Sequence, residues 1–140
     1  MNCYVDSSVI LRYLLSSERG FERVREFDRV GSSELLHLEC HRVLHRYRLE
    51  GMLTDAQLEQ AITYFRDLYE AIHIFEITAI VKKRASEAFP TVIGTLDAIH
   101  LATAVLWEAQ ETGPFVLFTY DRQMERCGHS LVLLWQRRAG

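Results

Sequence analysis

A chain of 140 residues is long enough for one domain with a real core and too short for two ordinary ones. Its 49% hydrophobic and 25% charged residues exclude a disordered or fibrous chain, and no apolar run approaches the roughly 18 residues of a membrane span. The formal net charge of −3 gives no global attraction for nucleic acid, although the basic set is almost all arginine, with lysine only at Lys82 and Lys83.

Cys3, Cys40 and Cys127 are odd in number and include no C-x-x-C pair, which argues against a disulfide framework or a thiolate zinc site. With no basic stretch and apolar run at the N-terminus to mark a leader, the expected setting is cytoplasmic.

In chain order, Cys3 to Val5 reads as a short buried strand, followed by Ser7 and Ser8 as N-cap residues for a helix over Val9 to Leu15. Phe21, Val24, Phe27 and Val30 recur at helical intervals among charges and predict an amphipathic helix, with Ser32 and Ser33 as punctuation. A longer helix is expected from Glu34 to Glu50, closed by Gly51. Thr54 and Gln57 fit a capping box for a helix reaching Tyr69. "AIHIFEIT" reads as a strand, and Thr78 caps a helix ending near Phe89 and Pro90. A helix from Leu96 to Glu111, a strand over Val116 to Phe118, a short helix from Arg122 to Arg126 and a last strand from Leu131 to Trp135 complete the reading. Helices alternating with short, nearly continuous apolar strands predict an α/β three-layer sandwich, a short central parallel sheet flanked by helices, in a single domain over residues 1–140.

Acids interrupt this apolar pattern. Asp6 and Asp121 end expected strands, Asp97 heads an apolar helix, and Glu39 lies beside the apolar stripe of Leu35, Leu38, Val43 and Leu44. Taken singly, Asp6 and Asp97 read as helix caps and Asp121 as a turn residue. Taken together at strand ends and helix starts, they read as a cation site, because crowded carboxylates stay ionised only when a cation neutralises them. Mg²⁺ and Mn²⁺ prefer such oxygen ligands.

The segments "YVDSSVILRYLL", "SSELLHLECHRVLHR", "TLDAIHLATA" and "FTYDRQM" together resemble, in order and over nearly the whole chain, the acidic motifs of the PIN-domain nucleases, most closely the VapC-type toxins. That resemblance implies a catalytic acidic centre of Asp6, Glu39, Asp97 and Asp121. It implies Asp6 and Asp97 as direct metal ligands, and Glu39 and Asp121 as ligands directly, through water or at a second ion. Ser8 and Thr119 match small hydroxyl positions and are assigned to support of the ligands. The family uses Mg²⁺ or Mn²⁺ to hydrolyse RNA with a metal-activated water. The resemblance further implies a homodimer inhibited by a cognate, VapB-like antitoxin.

Other readings stay open. His37, His41 and His45 share one helix face and in principle suit zinc, but they read better as a polar contact face, and Glu39 lies roughly 200° away from His41. His100, one turn after Asp97, reads as a packed, hydrogen-bonded histidine. Arg12, Arg42, Arg46 and Arg122 either line the cleft or pair with local acids. Tyr47, Tyr64 and Tyr69 read as core or subunit interface. Rival functions are an acidic-pocket phosphatase, whose second acid would fall at Ser8, a catalytically silent PIN-fold binding module, and a metal-free nuclease using histidine and the RNA 2′-hydroxyl.

Overall fold

The computed structural model describes residues 1–16 and 26–138, the last of these, 132–138, by their backbone. Four strands, β1 (Asn2–Val5), β2 (Arg29–Ser33), β3 (His73–Phe75) and β4 (Phe115–Phe118), form one sheet in the order β3-β2-β1-β4. All its pairings are parallel. The helices are α1 (Ser7–Leu15), α2 (Leu35–Leu49), α3 (Asp55–Ala71), α4 (Ala79–Ala85), α5 (Thr95–Gln110) and α6 (Arg122–Arg138). This is the expected α/β arrangement.

Strand alternation builds the two cores. Cys3 and Val5 of β1 face Val9, Ile10, Leu36, Cys40, Phe65 and Leu68, so α1, α2 and α3 cover one side. Tyr4 points the other way, into Leu101, Ala104, Trp107, Phe115, Leu117, Met124 and Cys127, so α5 and α6 cover the second side. α4 packs on α5.

Three boundaries follow the sequence closely. Thr54 and Gln57 form both bonds of a capping box, Thr78 caps α4 through the Val81 N–H, and Gly51 takes a φ of 78° after α2, which glycine adopts without strain.

Elsewhere the structure corrects the reading. Arg29 and Val30, expected at the end of the helix that starts at Phe21, begin β2 instead, and residues 21–25 of that helix lie outside the described residues. Helical spacing over so few residues does not outweigh the backbone partners that Cys3 and Tyr4 supply to Val30 and Gly31. Ser32 and Ser33 are strand residues, fully buried: the Ser32 hydroxyl donates to the Val5 carbonyl at 2.6 Å, and Ser33 Oγ accepts the Leu35 N–H at 3.1 Å. Gly31 is required because a Cβ there would meet Trp107 at 2.8 Å and Phe75 at 2.9 Å.

The expected strand from Leu131 to Trp135 is a continuation of α6. An apolar run of so few residues suits a helix as well as a strand. α4 is also shorter than expected, closing at Ala85. Finally, the N-cap of α1 is Asp6 itself rather than Ser7 or Ser8.

Candidate active site

The chain runs from β1 outward through β2 to β3 and then returns to place β4 on the other side of β1, so the direction of winding reverses between β1 and β4. In open parallel sheets, ligands bind beyond the carboxyl ends of the strands at such a switch point. The register pairs Val5 with Phe118. Asp6 and Thr119 are therefore the first residues past the sheet on adjacent strands.

Asp6 is 3% exposed. Its Oδ1 accepts the Ser8 hydroxyl at 2.6 Å and the Val9 N–H at 3.4 Å, and its Oδ2 accepts the Thr119 hydroxyl at 2.6 Å. Burial raises the Asp6 pKa above the ordinary carboxylate value, while the Ser8 and Thr119 hydroxyls and the charge of His100 oppose that rise. Ser8 and Thr119 also order the chain beyond β4. Ser8 Oγ accepts the Tyr120 N–H at 2.9 Å, and Thr119 Oγ1 accepts the Asp121 N–H at 3.0 Å. Asp121 in turn caps α6, its Oδ1 accepting the Met124 N–H at 2.9 Å.

Asp97 lies in the first turn of α5. Its pKa is pushed up to about 6, first by burial, then by the charges of Asp121 and Asp6, with His100 opposing and Glu39 adding to the rise. Four separate segments thus bring Asp6, Glu39 and Asp121 close enough to act on Asp97. The thiol of Cys40, pushed up by burial and by both Glu39 and Asp6, registers the same crowding from the sheet side. Among the described residues, no arginine or lysine pairs with any of the four acids.

The donor set is all carboxylate and hydroxyl oxygen, which suits a hard divalent ion. Among the described residues no group of three or more His, Cys, Asp or Glu side chains is placed to hold a metal ion. Mg²⁺ does not need one, since it is commonly held by one or two carboxylates and completes its shell with water.

Glu39 is held by His100, which is packed and hydrogen-bonded as expected, with a partner that the sequence did not name. His100, 1% exposed, bonds Glu39 Oε1 through Nε2 at 2.5 Å and the Tyr4 hydroxyl through Nδ1 at 2.7 Å. The available signal was position: His100 follows Asp97 by three residues and shares its side of α5, and Tyr4 sits two residues before Asp6 on the strand face turned to α5. The histidine row behaves differently. His37 and His41 stack with ring centroids 4.0 Å apart against Phe65 and Tyr69, which fits a contact face between α2 and α3. Arg12 lies over the Tyr120 ring, 4.3 Å from its centroid. A cavity of about 700 Å³ lined by Tyr13, Phe27, Arg29, Tyr64 and Ile72 includes none of the four acids, so charge rather than concavity marks the candidate centre.

A parallel α/β sheet with acids gathered at its switch point defines the class. The sequence matches the PIN domain family over residues 3–129, and the chain belongs to that family. PIN domains are in general a nuclease fold that uses divalent metal. No curated protein matches the chain. Among the described residues, no helix is long and apolar enough to cross a membrane.

Proposed function

We propose that the chain is a metal-dependent endoribonuclease, hydrolysing RNA phosphodiesters to leave 5′-phosphate and 3′-hydroxyl ends. We further propose that it serves as a VapC-type toxin, a homodimer silenced by a cognate VapB-like antitoxin. The catalytic part is carried by the Asp97 carboxyl, pushed up to about 6 by burial and by neighbouring acids, with no described cationic side chain paired to it. Such crowding is unfavourable in the metal-free chain and is relieved by a divalent ion. The toxin part rests on the resemblance of the four motif segments.

Asp6 and Asp97 would hold Mg²⁺ or Mn²⁺, with Glu39 and Asp121 completing the set directly or through water. Bound there, the ion supplies charge to neutralise phosphoryl oxygens and acidity for a water. The protein's own groups do the rest. Ser8 and Thr119 fix both oxygens of Asp6, Met124 N–H fixes one oxygen of Asp121, and Arg12 lies over Tyr120 beside that loop, suited to an RNA phosphate.

Two rivals lose ground. Where a phosphoaspartate phosphatase needs a second acid, Ser8 spends its hydroxyl on Asp6, and both Asp6 oxygens are engaged rather than poised for attack. A histidine mechanism needs an accessible imidazole at the centre, whereas the histidine bonded to Glu39, His100, is buried. The test is cleavage of RNA with Mn²⁺, in EDTA and with Asp97→Asn, followed by analysis of the product ends. Loss of cleavage in EDTA and in the variant is expected, whereas 2′,3′-cyclic phosphate ends formed in EDTA would overturn the mechanism. For the toxin role, the native chain should arrest growth and Asp6→Ala should not.

A further inference from the structure

The bond from His100 to Glu39 joins a buried core residue to an acid of the candidate centre. Glu39 is on α2, His100 on α5 and Tyr4 on β1, so three elements from both sides of the sheet meet in a chain of two hydrogen bonds, 2.5 Å and 2.7 Å long. The donor directions follow from chemistry. A carboxylate only accepts, so His100 Nε2 donates to Glu39; Nδ1 then accepts the Tyr4 hydroxyl in the neutral imidazole and donates to Tyr4 in the imidazolium. Tyr4 is fully buried and its ring meets the imidazole edge-on, with centroids 5.9 Å apart, so the imidazole is held in one orientation. Histidines and hydroxyls that support a ligating group from behind in this way set its orientation and its basicity.

From this geometry we infer that His100 is the positioning residue for Glu39: held from behind by Tyr4, it occupies Oε1 and leaves Oε2 as the oxygen that a divalent cation or its water can use. The inference rests on the metal-dependent reading above. His100 itself never meets RNA. A buried polar pair placed only to knit α2, α5 and β1 together would be satisfied by the same bonds. The difference is that a structural pair affects stability alone, whereas a positioning residue affects cation affinity in the folded protein.

The test is titration of the purified full chain with Mn²⁺ by calorimetry, alongside kcat and KM for RNA cleavage. His100→Asn keeps an acceptor near Nδ1 for Tyr4 but withdraws the donor to Glu39; His100→Gln restores a donor near Nε2. The expected result is an Mn²⁺ affinity weakened about tenfold or more in His100→Asn and largely rescued in His100→Gln, the range seen when groups behind a metal ligand are removed. The loss should appear in kcat at saturating RNA, with KM little changed. Placing His100→Asn on a Glu39→Gln background should add nothing.

Because His100→Asn risks unfolding, Tyr4→Phe is a second variant that keeps the ring and deletes one hydroxyl; it should weaken Mn²⁺ binding in the same direction. ¹⁵N NMR of the metal-free native chain provides an independent readout, with an Nε2-protonated His100 expected. Native-like Mn²⁺ affinity in folded His100→Asn and Tyr4→Phe, equal impairment of the Gln and Asn variants, or a ring without a proton on Nε2 would overturn the positioning role. If instead the native chain shows no Mn²⁺ binding that Asp97→Asn abolishes, it is the metal-dependent reading that fails.

Discussion

Replacing Asp97 by asparagine should make the metal-free protein more stable while abolishing its activity. The Asp97 pKa rises from 3.8 to about 6 in the folded chain. Fully sheltered, that rise corresponds to about 3 kcal/mol against the ionised folded state. Asp97 is only half-buried, and solvent screening reduces the figure to about 1.5 kcal/mol. A second effect opposes it: Asp97 lies in the first turn of α5, where a negative charge gains about 0.3 to 1 kcal/mol from the helix N-terminus. The cost of burial and of the neighbouring acids wins, and Asp97→Asn should gain about 1 kcal/mol, or roughly 3 to 4 °C in Tm.

The pH dependence has a definite sign. A carboxyl whose folded pKa is raised weighs against folding when ionised, so the cost is complete above about pH 6, shrinks as pH falls towards 3.8, and is absent below it. Thermal unfolding in EDTA above pH 6 and below pH 3.8 checks this, with the advantage of Asp97→Asn present in the first condition and gone in the second. Excess Mg²⁺ should then reverse the order at the higher pH, because only the native chain gains stability by binding it. A variant no more stable than the native chain in EDTA above pH 6 would refute the idea that burial and the neighbouring acids weigh against the ionised Asp97.

Further consequences can be measured directly. Thr119→Val removes a donor to the buried Asp6 Oδ2 and should destabilise the fold by about 1 to 3 kcal/mol in urea titration. Because the Thr119 and Ser8 hydroxyls hold the Asp6 pKa down, Ser8→Ala should move the acid limb of the activity profile to higher pH. Gly31→Ala forces a Cβ into Trp107 and Phe75 and should cost about 1 to 3 kcal/mol, with a changed near-UV signal from Trp107. Arg12→Ala should raise KM for RNA several-fold with kcat little altered, and the increase should shrink at high salt.

Much of this fold was legible in local pattern. Capping signals at Thr54 and Thr78 name their own helix starts, and Cys3 to Val5 is apolar because it is covered on both faces. β2 was not legible, since "RVGSS" holds a single β-branched apolar residue: its glycine is there to admit Trp107, and its serines are satisfied by Val5 and Leu35, facts that exist only once the chain is folded. The run Leu131 to Trp135 shows the converse, an apolar stretch that composition alone leaves ambiguous between strand and helix.

The acids could be picked out because each interrupts an apolar segment, and the resemblance supplied Ser8 and Thr119 as candidates. That both hydroxyls fall on the same carboxylate depends on the Val5 to Phe118 register, which no local pattern encodes. The link from Tyr4 through His100 to Glu39 joins residues 61 and 96 positions apart, and only the packing of α2 and α5 about β1 creates it.

The central claim is that divalent metal binds among these acids, on Asp6 and Asp97. Anomalous diffraction at the manganese edge, from crystals grown with Mn²⁺, tests it most directly. The account requires an anomalous peak bonded to the carboxylates of Asp6 and Asp97. An RNA-cleaving protein whose manganese lies elsewhere, on the His37 and His41 face for example, would contradict it.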